Sequence, residues 1–160
     1  MKILLEDLSS DFPMIDQDET GYKNRYAYLT YFSDEIPEEK NGVYSQFFEG
    51  VYKYDLQEEK LVKKIKFGQN KTGGEVFFQK KDPEFAKSED DGYLMSFVYD
   101  WVTNKSSFMM WDAKTMDEIP VTEAEIKTRV PNGFHTAFVQ EANLWYLQES
   151  KSKYDTKNRL

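Results

Sequence analysis

Short apolar and aromatic runs, separated by charged or glycine-bearing breaks, recur along this chain. Residues 26–32 read Tyr-Ala-Tyr-Leu-Thr-Tyr-Phe, a β-favouring stretch bounded by polar residues. Residues 50–55 and 61–67 predict a hairpin around Gln57-Glu58-Glu59, with the lysines of residues 60–66 on the wet face of a strand. A short strand at 75–79 follows the Gly73-Gly74 break, and 93–100 is apolar on both faces, as in a strand buried from both sides. Further strands are predicted at 107–111, 119–126 and 133–140, and Asp11-Phe12-Pro13 opens another after a loop. Residues 33–42 are acidic, contain Pro37 and end in Asn41-Gly42, which marks a solvated loop. A short helix fits 141–150, and 151–160 reads as a frayed end.

One internal echo bears on the architecture. Tyr54-Asp55 followed by Lys60 recurs as Tyr99-Asp100 followed by Lys105, and each copy joins two apolar runs through a tight turn. Four-stranded units of about 40–50 residues are the repeat length of β-propeller blades. The predicted fold class is therefore all-β, with blades occupying residues 1–145 and a polar tail at 146–160. About two such blades fit here, whereas closed propellers use roughly four to eight. Two alone would leave apolar faces and strand edges uncovered, so the chain is expected to be part of a larger array.

Composition narrows the function classes. Twelve Phe, eleven Tyr and three Trp supply an aromatic core, and the net charge of −8 comes without a basic stripe. Nucleic acid is not an expected partner. The absence of cysteine removes disulfides, thiolate metal sites and thiol nucleophiles. The apolar run after Met1 is broken by Glu6 and Asp7, too short for a signal peptide, and no stretch has the length of a membrane span. A cytoplasmic location is the expectation. Asn70-Lys71-Thr72 and Asn104-Lys105-Ser106 then read as chance matches to the glycosylation acceptor pattern.

Candidate chemistry centres on few residues. His135, in Arg129-Val130-Pro131-Asn132-Gly133-Phe134-His135, is the only histidine, so no complete histidine metal site can form within the chain. On its own it reads as a hydrogen-bonded histidine at the start of a strand. Glu75 enters an otherwise apolar strand, where a carboxylate is costly unless exposed or paired. It reads as an exposed strand-end residue or as an acceptor for the N–H of a ligating imidazole, and Asp11 carries the same two readings. Glu89-Asp90-Asp91-Gly92 has the composition of a turn, with Gly92 able to take a positive φ. Trp111-Asp112 matches the dipeptide of WD-repeat propellers without the rest of that signature, and reads as structural.

At these residues the chain resembles the carotenoid oxygenase family, which includes carotenoid cleavage dioxygenases, lignostilbene dioxygenases and the retinal pigment epithelium isomerohydrolase. Asp11-Phe12-Pro13-Met14-Ile15-Asp16 is similar to the family's E-F-P-x-I-[ND] segment, and the stretch from Gly21-Tyr22 through Arg25-Tyr26-Ala27-Tyr28 to its G-x-x-x-R-Y-x-Y. Tyr54-Asp55-Leu56 resembles K-Y-D-L, and Gly73-Gly74-Glu75-Val76-Phe77-Phe78 resembles G-G-E-P-x-F-V. Glu89-Asp90-Asp91-Gly92-Tyr93-Leu94 matches E-D-D-G-Y-L, and the segment ending at His135 matches R-V-P-x-G-F-H. The matches keep the family's order.

The resemblance implies the C-terminal blades of a seven-bladed β-propeller, incomplete here, whose axis holds Fe(II) on four histidines. By the same carry-over, His135 is the most C-terminal of those ligands, the one of the four present in this chain. Glu75 is a carboxylate bonded to one of the other ligating histidines. Asp11 stands where the family usually has Glu, and its shorter side chain puts that hydrogen bond in doubt. Val76 replaces a usual Pro. The implied reaction is cleavage of a conjugated carbon–carbon double bond with O2, in a carotenoid, apocarotenoid or stilbene, giving two carbonyl products. The chain alone is expected to be inactive, with any membrane contact made through an upstream part. The competing readings are a non-catalytic remnant and a small propeller-like interaction module.

Overall fold

In a computed structural model, residues 8–32, 48–131, 133, 135–139, 141 and 144 are described. Nine strands form one antiparallel sheet: β1 (Ser10–Met14), β2 (Tyr26–Phe32), β3 (Phe48–Asp55), β4 (Lys60–Lys66), β5 (Lys71–Gly73), β6 (Phe77–Lys80), β7 (Gly92–Asp100), β8 (Lys105–Asp112) and β9 (Thr122–Ile126). A 3-10 turn, Gln17–Glu19, lies between β1 and β2. The pairings resolve into two four-stranded meanders, β1-β2-β3-β4 and β6-β7-β8-β9. The joint between them is β5, which pairs Gly73 with Phe48 of β3 and runs along the far half of β7. This is the two-blade arrangement that the strand count predicts.

Burial follows the position of each strand in its blade. β2 and β3 are buried over nearly their whole length, whereas only Ile65 of β4 is buried and β9 has no buried residue. The lysines of β4 do face solvent. Between the blades lies one shared core that includes Met14, Val51, Phe67, Leu94, Met109 and Trp111. Tyr28 of the first blade stacks on Phe78 of the second at 5.2 Å. Each such buried side chain stabilises by about 1.5–3 kcal/mol, so the blades hold one another. Trp111 is fully buried, which bears out its structural reading.

The sequence echo has a physical cause. Asp55 accepts the backbone N–H groups of Gln57 and Glu58, and Asp100 accepts those of Val102 and Thr103. Four residues after each Asp the chain turns left-handed, at Glu59 (φ 51°) and Asn104 (φ 59°). Asp112 builds the same turn, holding Lys114 and Thr115 and followed by Met116 at φ 50°. Such aspartate-capped turns substitute a carboxylate for the missing ladder partners.

Several expectations need correction. Residues 133 and 135–139 form no strand: Val130 donates its N–H to Ser106 Oγ and Thr136 to the Glu75 carboxylate, so side chains take the place of a ladder. The strand at 119–126 is confined to Thr122–Ile126, and β5 lies in the Gly73-Gly74 region read only as a break. Gly92 is not in the left-handed region. It sits in β7 because a Cβ there would strike the ring of Phe78. Residues 33–42 and the tail at 146–160 lie outside the described residues, as does most of the helix expected at 141–150.

Candidate functional site

Two of the three sequence-selected residues come together at one edge of the second blade. Glu75 lies in the gap between β5 and β6, where the edge strand leaves β7 and rejoins it. Its backbone is held there by Ser96, whose hydroxyl donates to the Glu75 carbonyl at 3.1 Å. The side chain is buried, only 8% of the residue being exposed. Glu75 Oε2 accepts the backbone N–H of Thr136 and, at 3.3 Å, its hydroxyl. Glu75 Oε1 faces His135, with Nδ1 at 3.7 Å. That separation is too long for a hydrogen bond and short enough for an ion pair.

His135 is otherwise presented outward, with 78% of its side chain exposed. The edge of its ring meets Phe12 at 5.7 Å, the two planes inclined by 72°. Phe12 reaches it from the first blade because β1 is irregular between Asp11 and Met14, and Phe12 itself has φ 50°. Irregularities of this kind re-aim a side chain out of the pleat. The imidazole is thus approached from both blades.

The carboxylates behave differently from one another. Asp11 is exposed and accepts the N–H of its own neighbour Phe12 at 2.7 Å, so its charge is spent on the bulge. The resemblance implies another histidine as the partner of Glu75, and among the described residues it stands beside His135 itself. Among the described residues the other buried carboxylates have a Lys or Arg partner: Asp16 with Lys80, Asp55 with Arg25, Asp90 with Lys53, and Asp91 with Lys114. Glu75, among the described residues, has an imidazole in place of a Lys or Arg. A cleft of about 220 Å³ adjoins it, lined in part by Thr72, Phe97, Tyr99, Pro131 and Thr136.

The EDD triplet, read only as a turn, is a clasp between blades. Glu89 accepts the N–H groups of Arg25 and Tyr26 at the start of β2. Asp90 meets Lys53 Nζ of β3 at 2.7 Å, and that ammonium also donates to the carbonyls of Ala113 and Lys114. Burial works against the Asp90 charge, but Lys53 and the Ser88 hydroxyl outweigh it and hold the carboxyl below its usual range. Asp91 is held lower still by the Lys87 N–H and the Lys114 ammonium.

The family model for the retinal pigment epithelial membrane protein, RPE65, matches residues 2–140. The chain belongs to this carotenoid oxygenase family. It is 37% identical over 150 residues to a carotenoid 9,10(9',10')-cleavage dioxygenase of Crocus sativus, covering 86% of this chain and 26% of that one. A zeaxanthin 7,8(7',8')-cleavage dioxygenase of the same plant is 34% identical over 148 residues, 89% of this chain and 37% of its own. The fold agrees with that of the lignostilbene dioxygenase of Pseudomonas brassicacearum, at TM-score 0.70 and 21% identity over 82% of this chain and 27% of that one. It agrees likewise with cobalt-substituted apocarotenoid oxygenase of Synechocystis, at TM-score 0.66 and 21% identity over 82% and 25% of the two chains. The two meanders are therefore blades of a carotenoid-oxygenase propeller. This oxygenase-family chain spans about a quarter of the length of the first dioxygenases it matches.

Iron fits the donor set in part. A neutral imidazole backed by a carboxylate on its other nitrogen is the usual form of a histidine ligand. Among the described residues no three His, Asp or Glu side chains are grouped to hold a metal. Among the described residues, His135 with Glu75 behind it offers a single imidazole donor.

Proposed function

We propose that this chain supplies the C-terminal blades and one histidine ligand of a non-haem iron(II) oxygenase that cleaves a conjugated carbon–carbon double bond with O2. The substrate class is a carotenoid, apocarotenoid or stilbene, and each of the two oxygen atoms ends in one of two carbonyl products. The observation that carries the reading is the buried Glu75 carboxylate, without a Lys or Arg partner among the described residues, facing the exposed imidazole of the chain's only histidine. The relatives, a carotenoid 9,10(9',10')-cleavage and a zeaxanthin 7,8(7',8')-cleavage dioxygenase, support the substrate class.

Iron(II), when bound, supplies open coordination positions for O2. This chain's own part is to aim and hold a ligand. Glu75 favours a proton on Nδ1 of His135, which leaves the Nε2 lone pair facing outward for a metal. Phe12 limits rotation of the ring. Asp11, with its carboxylate turned to the Phe12 N–H, supports the bulge that carries Phe12.

The test joins the chain to a preceding segment that carries three further histidines. Iron content by elemental analysis and oxygen-dependent cleavage of a carotenoid are then measured with and without His135→Ala. Loss of both is expected. Stoichiometric iron and full turnover in His135→Ala would refute the ligand assignment. The 160-residue chain alone is expected to take up Fe(II) no better than its own His135→Ala variant, since one imidazole is a weak site.

A further inference from the structure

We infer that Thr136 is the positioning residue of this site, fixing the Glu75 carboxylate so that only one of its oxygens is left for His135. The inference rests on the iron-ligand reading above and adds a residue to it. Thr136 gives two donors to the same oxygen, its backbone N–H and its hydroxyl, and both go to Glu75 Oε2. An ionised carboxylate can otherwise rotate to offer either oxygen to a neighbour. With Oε2 engaged, Oε1 is the oxygen turned toward His135 Nδ1.

The arrangement is self-consistent along the chain. Thr136 directly follows His135, so the residue that anchors the carboxylate is covalently tied to the imidazole that the carboxylate orients. A displacement of the segment moves ligand and anchor together. The same segment is fixed a few residues earlier, where Val130 donates to Ser106 Oγ at 2.9 Å. Among the described residues no side chain other than Thr136 donates to the Glu75 carboxylate, and the nearby Ser96 hydroxyl is engaged by backbone carbonyls, including that of Glu75. The threonine hydroxyl is thus the one removable part of the anchor, because the amide survives any substitution other than proline.

A single histidine makes the test direct. The chain is labelled with 15N-histidine, and the two imidazole nitrogens of His135 are assigned as protonated or bare from their shifts at a pH where the ring is neutral. The unmodified chain is expected to carry its proton predominantly on Nδ1, against the ordinary preference of free imidazole for Nε2. Thr136→Val keeps the shape and removes the hydroxyl, and the Nδ1-protonated fraction should fall by about half or more. Thr136→Ser should restore it. In protein joined to the preceding histidine-bearing segment, Thr136→Val should lower iron retention on the order of 10-fold, the low end for such outer partners. A merely structural threonine would not shift the tautomer.

Unchanged His135 signals in Thr136→Val would overturn the inference, and so would equal losses in the Val and Ser variants. The expected tautomer pattern together with absent iron in the joined protein refutes the metal reading while the anchoring by Thr136 stands. The two failures are therefore separable.

Discussion

Lys53 offers the sharpest test of what holds the two blades together. It is 2% exposed, in the middle of β3, and its ammonium reaches Asp90 from the other blade at 2.7 Å. The carbonyls of Ala113 and Lys114 take its remaining protons at 2.9 and 3.3 Å, and the ring of Tyr26 lies 4.6 Å away. Lys53→Met fills the volume but strands a buried carboxylate and two carbonyls. Removing one partner of a buried pair costs about 3–5 kcal/mol, because the charge left behind is uncompensated. In urea, with a slope of about 1–3 kcal/mol/M, that moves the midpoint on the order of 2 M.

The control is Lys66→Met. Lys66 pairs with Glu49 on the surface, its side chain 55% exposed, and such pairs are worth about 0–1 kcal/mol. Lys53→Met combined with Asp90→Asn should cost less than the sum of the two singles, since neither charge is then stranded, with a coupling of about 0.5–3 kcal/mol. Urea unfolding followed by tryptophan fluorescence reports the shared core, where Trp111 packs 5.5 Å from Phe67. A Lys53→Met midpoint no lower than that of Lys66→Met, or strictly additive singles, would refute the clasp.

Two further predictions follow from the carboxylates. In protein that holds iron, Glu75→Gln should weaken iron retention by about 10–100-fold, read by dialysis against a chelator, whereas an unchanged iron content would make Glu75 an ordinary strand residue. Acid should destabilise the fold: backbone N–H donors hold Asp100 below its usual range, and Lys81 with the turn amides does so for Asp112 against its burial. Folded-state values below the unfolded ones mean that this stability is complete above the unfolded pKa, about 4, and is lost as pH falls through the depressed values. Melting temperatures measured from pH 6 to pH 2 should fall most steeply below pH 4, and Asp100→Asn should flatten that fall.

How much of this could be read from the chain depends on the range of the interaction. β2 is visible residue for residue because every position of Tyr26–Phe32 is aromatic, apolar or β-branched and most are buried. The Tyr-Asp echo is visible because an aspartate-capped turn is a local object, complete within six residues of its Asp. β5 is hidden because it is three residues long and is defined only by its neighbours β3 and β7. Residues 133 and 135–139 carry strand-like composition, yet Thr136 donates to Glu75 and the preceding Val130 to Ser106, and no local pattern announces such acceptors. Within the predicted run 50–55 nothing local marks Lys53 as buried. Only its distance of 37 positions from Asp90, closed by the packing of the blades, makes it a core residue.

The same distinction explains why Glu75 and His135 were legible as candidates but not as a pair. Each belongs to a short motif, and the motifs are 60 residues apart. What joins them is the gap in the edge of the second blade, where the chain abandons its ladder between β5 and β6 and frees a buried position for a side chain. A carboxylate there is costly for folding alone, since its desolvation is offset only by Thr136, with no Lys or Arg partner among the described residues. Replacing it with an amide keeps an acceptor for Thr136 and removes a charge that meets no Lys or Arg among the described residues, so the isolated fold should lose little. The nearby clasp shows the opposite case, in which Asp90 is matched by a full ammonium charge. A buried charge without a Lys or Arg partner among the described residues, set against the one histidine of the chain, is the arrangement on which the proposed iron-ligand role rests.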